Sequence, residues 1–224
     1  MSTVRIKVCG VTSVADALAC ASAGTDWIGL NFYPRSPRCI DESLGAAIVE
    51  ALPATTEAVG LFVNRPPAEV AEIARRVGIR IVQLHGDEPP EDFLALEGLQ
   101  VVRAFRLADA DSIARMEAYL ERAAQLGRVP DAVLVDAFAA GQPGGTGQTI
   151  ADDLLDRLPD LPRLILSGGL TPANVSERIH RVRPWMVDVA SGVESTPGRK
   201  DARRVQAFIQ AAWSPNETKL RDVR

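Results

Sequence analysis

Five ionisable side chains stand where buried strands should be apolar. Lys7 and Cys9 alternate along "RIKVC", His85 closes "VQLH", Asp136 lies in "AVLVDA" and Asp188 in "MVDV". Side chains alternate across a strand, so Lys7 shares a face with Cys9, Gln83 with His85, Leu134 with Asp136, and Asp188 with Ala190. An unpaired buried charge costs at least about several kcal/mol, so these groups must be paired, hydrated or set at a mouth. Each has an ordinary reading when taken alone. Cys9 is then a small buried hydrophobe, His85 a hydrogen-bonded core histidine, Lys7 a cation paired with Asp188, and Asp136 a cap or turn residue. Their coincidence at strand ends points instead to one shared site.

A second group of residues suits an anion. "GQPGGTGQT" (Gly141–Thr149), "SGGLTPANV" (Ser167–Val175) and "ASGVE" (Ala190–Glu194) are glycine-rich and follow successive apolar runs. Glycine lets backbone N–H groups approach a phosphate closely, and a helix N-terminus adds partial positive charge. Gly168, Gly169, Ser191 and Gly192 are the candidate phosphate ligands, and the substrate is expected to be a phosphorylated small molecule. Arg38 in "NFYPRSPRCI" can hold a carboxylate through two parallel hydrogen bonds, with Arg35 as a neighbouring candidate.

The elements that position these residues alternate along the chain. Strands are predicted at Arg5–Val11, Trp27–Phe32, Ala58–Val63, Ile81–His85, Val101–Arg106, Ala132–Ala137, Leu164–Ser167 and Met186–Ala190. Alanine-rich amphipathic segments separate them, among them Val14–Ala23, Pro67–Val77, Ala110–Gln125 and Pro172–Val182. Eight strand–helix units without a break in composition imply a single (βα)8 barrel with its active site at the C-terminal face of the strands. An open doubly wound sheet is the structural alternative. Ser13-x-x-Asp16 resembles a capping box, and Thr171-Pro172 an N-cap with proline at the first helical position. The barrel is expected over residues 1–212 as one catalytic domain, followed by a polar, flexible tail at 213–224.

Composition narrows the function. The chain has 224 residues, enough for one such barrel, and a net charge of −4, which argues against nucleic-acid and anionic-membrane partners. No run approaches the ~20 apolar residues of a membrane span, and no signal pattern opens the chain, so the expected location is cytoplasmic. Cys9, Cys20 and Cys39 form neither an even disulfide framework nor a C-x-x-C pair, and only two histidines are present. Neither a metal nor a cofactor is expected, and the chain is expected to be a monomer or a homodimer.

Assembled, these residues resemble the phosphoribosylanthranilate isomerase family of tryptophan biosynthesis. The resemblance spans Arg5 to about Phe208. It rests on "KVCGVT" (Lys7–Thr12), "FYPRSPR" (Phe32–Arg38), "GLFVN" (Gly60–Asn64), "QLHGDE" (Gln83–Glu88) and "VDAF" (Val135–Phe138). "GGTG" (Gly144–Gly147), "LSGGLTPANV" (Leu166–Val175) and "VDVASGVESTPGRKD" (Val187–Asp201) complete it. It implies an Amadori rearrangement of N-(5-phosphoribosyl)anthranilate, without a cofactor, with Cys9 as general base and Asp136 as general acid. It further implies that Arg38 holds the anthranilate carboxylate, that the glycine turns bind phosphate, and that His85 and Asp188 support them. Lys7, or a helix dipole, is expected to increase the thiolate fraction of Cys9. The chain departs from the family pattern at Ile150-Ala151-Asp152 and at Ala190, where serine is usual. Cys9 counts against a histidine-pathway or dual-specificity isomerase, whose first strand ends in aspartate. A non-catalytic phosphosugar-binding barrel is the reading from another class.

Overall fold

The structure is a computed structural model and describes residues 4–137, 149–161 and 163–214. Eight strands form the barrel: β1 (Arg5–Cys9), β2 (Trp27–Asn31), β3 (Glu57–Phe62), β4 (Ile81–Leu84), β5 (Gln100–Leu107), β6 (Ala132–Ala137), β7 (Leu164–Leu166) and β8 (Met186–Val189). All are parallel, in chain order, and β8 pairs back onto β1, with Lys7 opposite Asp188. That closure decides for the barrel over the open sheet.

Helices α1 (Val14–Ala23), α2 (Glu42–Ala51), α3 (Pro67–Val77), α4 (Ala110–Gln125), α5 (Asp152–Leu155), α6 (Val175–Val182) and α7 (Ala202–Trp213) pack outside. Between β4 and β5 the crossover is a 3-10 helix, Pro90–Leu96. After β8 the chain makes a small antiparallel hairpin, β9 (Glu194–Thr196) and β10 (Arg199–Lys200), around Pro197-Gly198.

The strands are buried on both faces, as parallel strands require. Ile6, Val8, Ile28, Leu30, Val133 and Val135 join the outer core under the helices. A separate inner core contains Trp27, Val59, Ile81, Leu134, Ile165 and Met186. The parity read from the sequence is therefore right: Lys7 and Cys9 belong to the inner set, together with Asp136 and Asp188.

Several local expectations change. Ser13 accepts from the Asp16 amide, but the Asp16 carboxylate accepts from the Lys200 amide, so the box is not reciprocal. Helix α6 starts at Val175, with Asn174 at the cap position. Thr171-Pro172 belongs to the preceding turn, where the Thr171 amide donates to Asn174 Oδ1. Trp213, expected to open the tail, is the last residue of α7, and its indole N–H donates to the Val4 carbonyl. The residues beyond Ser214 lie outside those described.

Candidate active site

At the C-terminal end of the strands the inward-facing residues surround a cavity of about 450 Å³, within the usual range of small-molecule sites. Cys9, Asn31, Leu61, His85, Asp136 and Ser167 line it from β1 or from the ends of β2, β3, β4, β6 and β7, with Asp188 and Ala190 from the β8 side. Space for Cys9 comes from its neighbour in register, Gly29 on β2. A Cβ there would lie 2.7 Å from Cys9 Sγ and 2.9 Å from Cys9 Cα.

Lys7 is fully buried and donates to Asp188 Oδ1 at 3.0 Å, while Ser167 Oγ donates to Asp188 Oδ2 at 3.3 Å. The ordinary reading of Lys7 as a structural cation is thus realised, and Asp188 is its counter-charge. Burial pushes the Cys9 thiol above its usual range; Lys7 and Lys200 pull it down, and Asp188 pushes it up. The expected help from Lys7 is present, but desolvation outweighs it.

Asp136 is held by its own strand end, where its Oδ1 accepts from the Ala137 amide at 2.9 Å. His85 Nε2 stands 3.5 Å from Asp136 Oδ2, too far for a good hydrogen bond. On its other side His85 Nδ1 lies 2.7 Å from Gln83 Nε2, within hydrogen-bond distance. The turn after His85 is fixed from outside the barrel. Arg103 donates to the Leu84 and Gly86 carbonyls and to Glu88 Oε2, and the Glu88 carboxylate accepts from the Asn64 and Gly86 amides.

Arg38 does line the cavity, but not as a free fork. Its Nε and Nη2 donate to Glu194 Oε1 and Oε2 at 2.8 and 2.7 Å. Two of its five N–H groups are used, and the terminal Nη1–Nη2 edge keeps a second pair for a carboxylate. Glu194 holds the Arg38 pKa high by these same hydrogen bonds. Arg35 also lines the cavity and is exposed.

A smaller crevice adjoins the cavity through Asp136, Ser167 and Asp188, and Gly168, Gly169 and Ser191 line it. Gly168 and Gly169 have φ of +87° and +59°, backbone conformations that favour glycine. A Cβ on Gly168 would meet the Ala137 amide at 2.6 Å. Gly192 packs behind, where a Cβ would lie 2.0 Å from the Leu170 carbonyl oxygen. The "GGTG" stretch, Gly144–Gly147, lies outside the described residues. Among the described residues no cluster of three or more His, Cys, Asp or Glu side chains is placed to hold a metal, and no helix is long and apolar enough to cross a membrane.

Sequence reasoning gave no role to Gly29, Asn31, Glu194 or Lys200. For the last two a signal existed: opposite charges flank Pro197-Gly198, the pattern of a cross-strand ion pair in a hairpin.

Comparison with known proteins agrees with this geometry. Residues 6–211 match the family model described as N-(5'phosphoribosyl)anthranilate (PRA) isomerase. The N-(5'-phosphoribosyl)anthranilate isomerase of Geobacter sulfurreducens is 46% identical over 209 residues, which cover 93% of this chain and 98% of that one. Among solved structures, monomers generated from the dimeric Thermotoga maritima enzyme superpose with a TM-score of 0.78 at 36% identity, covering 93% of this chain and 98% of that one. A phosphoribosylanthranilate isomerase in complex with reduced 1-(o-carboxyphenylamino)-1-deoxyribulose 5-phosphate has the same score, identity and coverage.

The Cys9–Gly29 contact yields a test. Gly29→Ala should destabilise the fold by about 1–3 kcal/mol, because the nearest atoms include backbone that has nowhere to move, and turnover should fall more than about tenfold as Cys9 is displaced. Denaturant unfolding and a turnover assay read both. Unchanged values would show that the β1–β2 contact does not set the position of the thiol.

Proposed function

The chain belongs to the N-(5'-phosphoribosyl)anthranilate isomerase family, and on that premise we propose which of its residues carry out the reaction. The reaction converts N-(5-phosphoribosyl)anthranilate to 1-(2-carboxyphenylamino)-1-deoxyribulose 5-phosphate, an aldose–ketose isomerisation in tryptophan biosynthesis. Asp136 is the general acid. It protonates the furanose ring oxygen, and the C1–O bond breaks to leave an iminium on the substrate's own nitrogen. Cys9 is the general base. Its sulfur takes the C2 proton, the C2–H electrons neutralise the iminium, and the resulting enolamine tautomerises to the ketone.

One observation carries this assignment: a thiol and a carboxyl from strands on different sides of the barrel open onto one cavity with an arginine at its wall and a glycine-lined crevice at its edge. The Nη1–Nη2 edge of Arg38 takes the anthranilate carboxylate, and Gly168, Gly169 and Ser191 take the phosphate. Gly192 contributes by letting its turn close on Leu170. Asp188 neutralises Lys7, and His85 borders the acid. Because burial favours the uncharged thiol, the base gains strength from the desolvation that makes it scarce in the free enzyme. The barrel with its closing helix α7, through Trp213, forms the catalytic domain. The chain works in the cytoplasm as a monomer or a homodimer on a small phosphorylated sugar. The dimeric Thermotoga maritima relative supports the second state.

Substitution tests the roles. Cys9→Ala and Asp136→Asn should each lower kcat by about 10²–10⁴-fold, the usual contribution of one positioned proton transfer, with folding and product-analogue binding retained. Turnover near the wild-type rate would remove that residue from the scheme. For the carboxylate clamp, Arg38→Met should raise KM by about tenfold or more with a smaller change in kcat. An unaltered KM would place the carboxylate elsewhere.

A further inference from the structure

The Cys9 main chain is held by a lysine that the reaction scheme leaves unused. Lys200 Nζ donates to the Cys9 carbonyl at 2.6 Å, to Glu194 Oε1 at 2.7 Å and to the Ala190 carbonyl at 3.3 Å. Those three bonds use every proton of the ammonium. Its side chain is 2% exposed. The acceptors belong to the end of β1, the segment after β8, and β9, so one cation ties the thiol-bearing strand to its neighbour across the barrel seam. Nothing in local sequence requires that bond, since Cys9 and Lys200 are 191 residues apart.

The charges around Cys9 do not cancel. Lys7 and Asp188 face it from β1 and β8, Lys200 and Glu194 approach from the hairpin, and Arg38 from the loop after β2. Among the groups ion-paired around Cys9, Glu194 is shared between Lys200 and Arg38, so three cations stand against two carboxylates, while Asp136 and His85 face the same cavity from β6 and β4 outside these pairs. The surplus is one positive charge, which a thiolate at Cys9 neutralises. Asp16 accepts from the Lys200 amide rather than its ammonium, and Cys20, also within reach of the Lys200 charge, is pushed up to about 12 by burial.

We infer that Lys200 is a positioning residue for Cys9, fixing the thiol's backbone at the cavity wall and supplying the charge against which the thiolate forms. The inference rests on Cys9 being the base. Its physical content is separate, because it concerns the ionisation of the thiol whether or not turnover depends on it. Lys200 is itself pushed down by burial, and Glu194 opposes that fall. Glu194 thus serves two tasks, keeping Lys200 charged beside the base and orienting Arg38.

The test is alkylation of Cys9 by iodoacetamide as a function of pH, with peptide mapping to separate it from the exposed Cys39. Lys200→Met removes both tether and charge, yet leaves Glu194 paired with Arg38. Lys200→Gln removes the charge and keeps a donor. In both, the midpoint for Cys9 should rise by about one unit or more, and kcat near neutrality should drop about tenfold with the thiolate fraction. KM should move less than kcat. An unshifted midpoint in a folded variant overturns the inference. If neither variant folds, lysine ¹³C NMR of the unsubstituted chain decides. The Lys200 Cε resonance should move at the pH where Cys9 ionises and lose that step in Cys9→Ala, whereas a resonance indifferent to Cys9 overturns the inference. Full turnover by Cys9→Ala would end the base assignment and leave the Lys200–thiol coupling standing, so the two failures are distinguishable.

Discussion

Closing eight parallel strands into a barrel turns every second residue inward, and a polar residue at such a position needs a partner. The Lys7–Asp188 bond at 3.0 Å meets that need at the seam where β1 meets β8, with both side chains almost wholly withdrawn from water. It lets the inner core change from apolar side chains such as Trp27, Ile81 and Leu134 to the ionisable lining of the cavity. An isolated charge there would cost about several kcal/mol. Once it is paired, the neighbouring positions Cys9, His85 and Asp136 are available for chemistry.

The remaining cations follow the same rule with different consequences. Arg103 and Glu88 neutralise each other outside the barrel and pin the turn that carries His85. Arg38 and Lys200 share Glu194, which leaves an arginine edge turned to no protein partner among the described residues and an ammonium wrapped in carbonyls. An anionic substrate completes the first arrangement. The surplus positive charge is thus met by a transient thiolate, while the unused edge of Arg38 offers hydrogen bonds to a carboxylate.

Much of this was legible before any coordinates. Period-two alternation placed Cys9 and Asp136 on the inner face, and the bounds of α1, α3, α4 and β6 agree with those expected. Most strand ends ran long because residues such as Val11 and His85 are buried and their amides still donate to the neighbouring strand, although the paired register stops at Cys9 and Leu84. Strand β5 instead extends one residue further at each end than expected. Caps were misread where a side chain had a more distant claim on it, as with Asp16 and the Lys200 amide. Arg38 was read as free because its partner lies 156 residues away, and the Gly29 contact is set by strand register, which composition does not reveal. Long-range pairing is what the sequence conceals, and in this protein long-range pairing sets the electrostatics of the site.

The central claim is that the Cys9 sulfur removes the C2 proton. Single-turnover kinetics with substrate deuterated at C2, followed across pH, tests it most directly. The account predicts a primary isotope effect on a step whose rate rises with the same midpoint as the titration of the Cys9 thiol. An isotope-sensitive step whose pH dependence ignores that titration would contradict it.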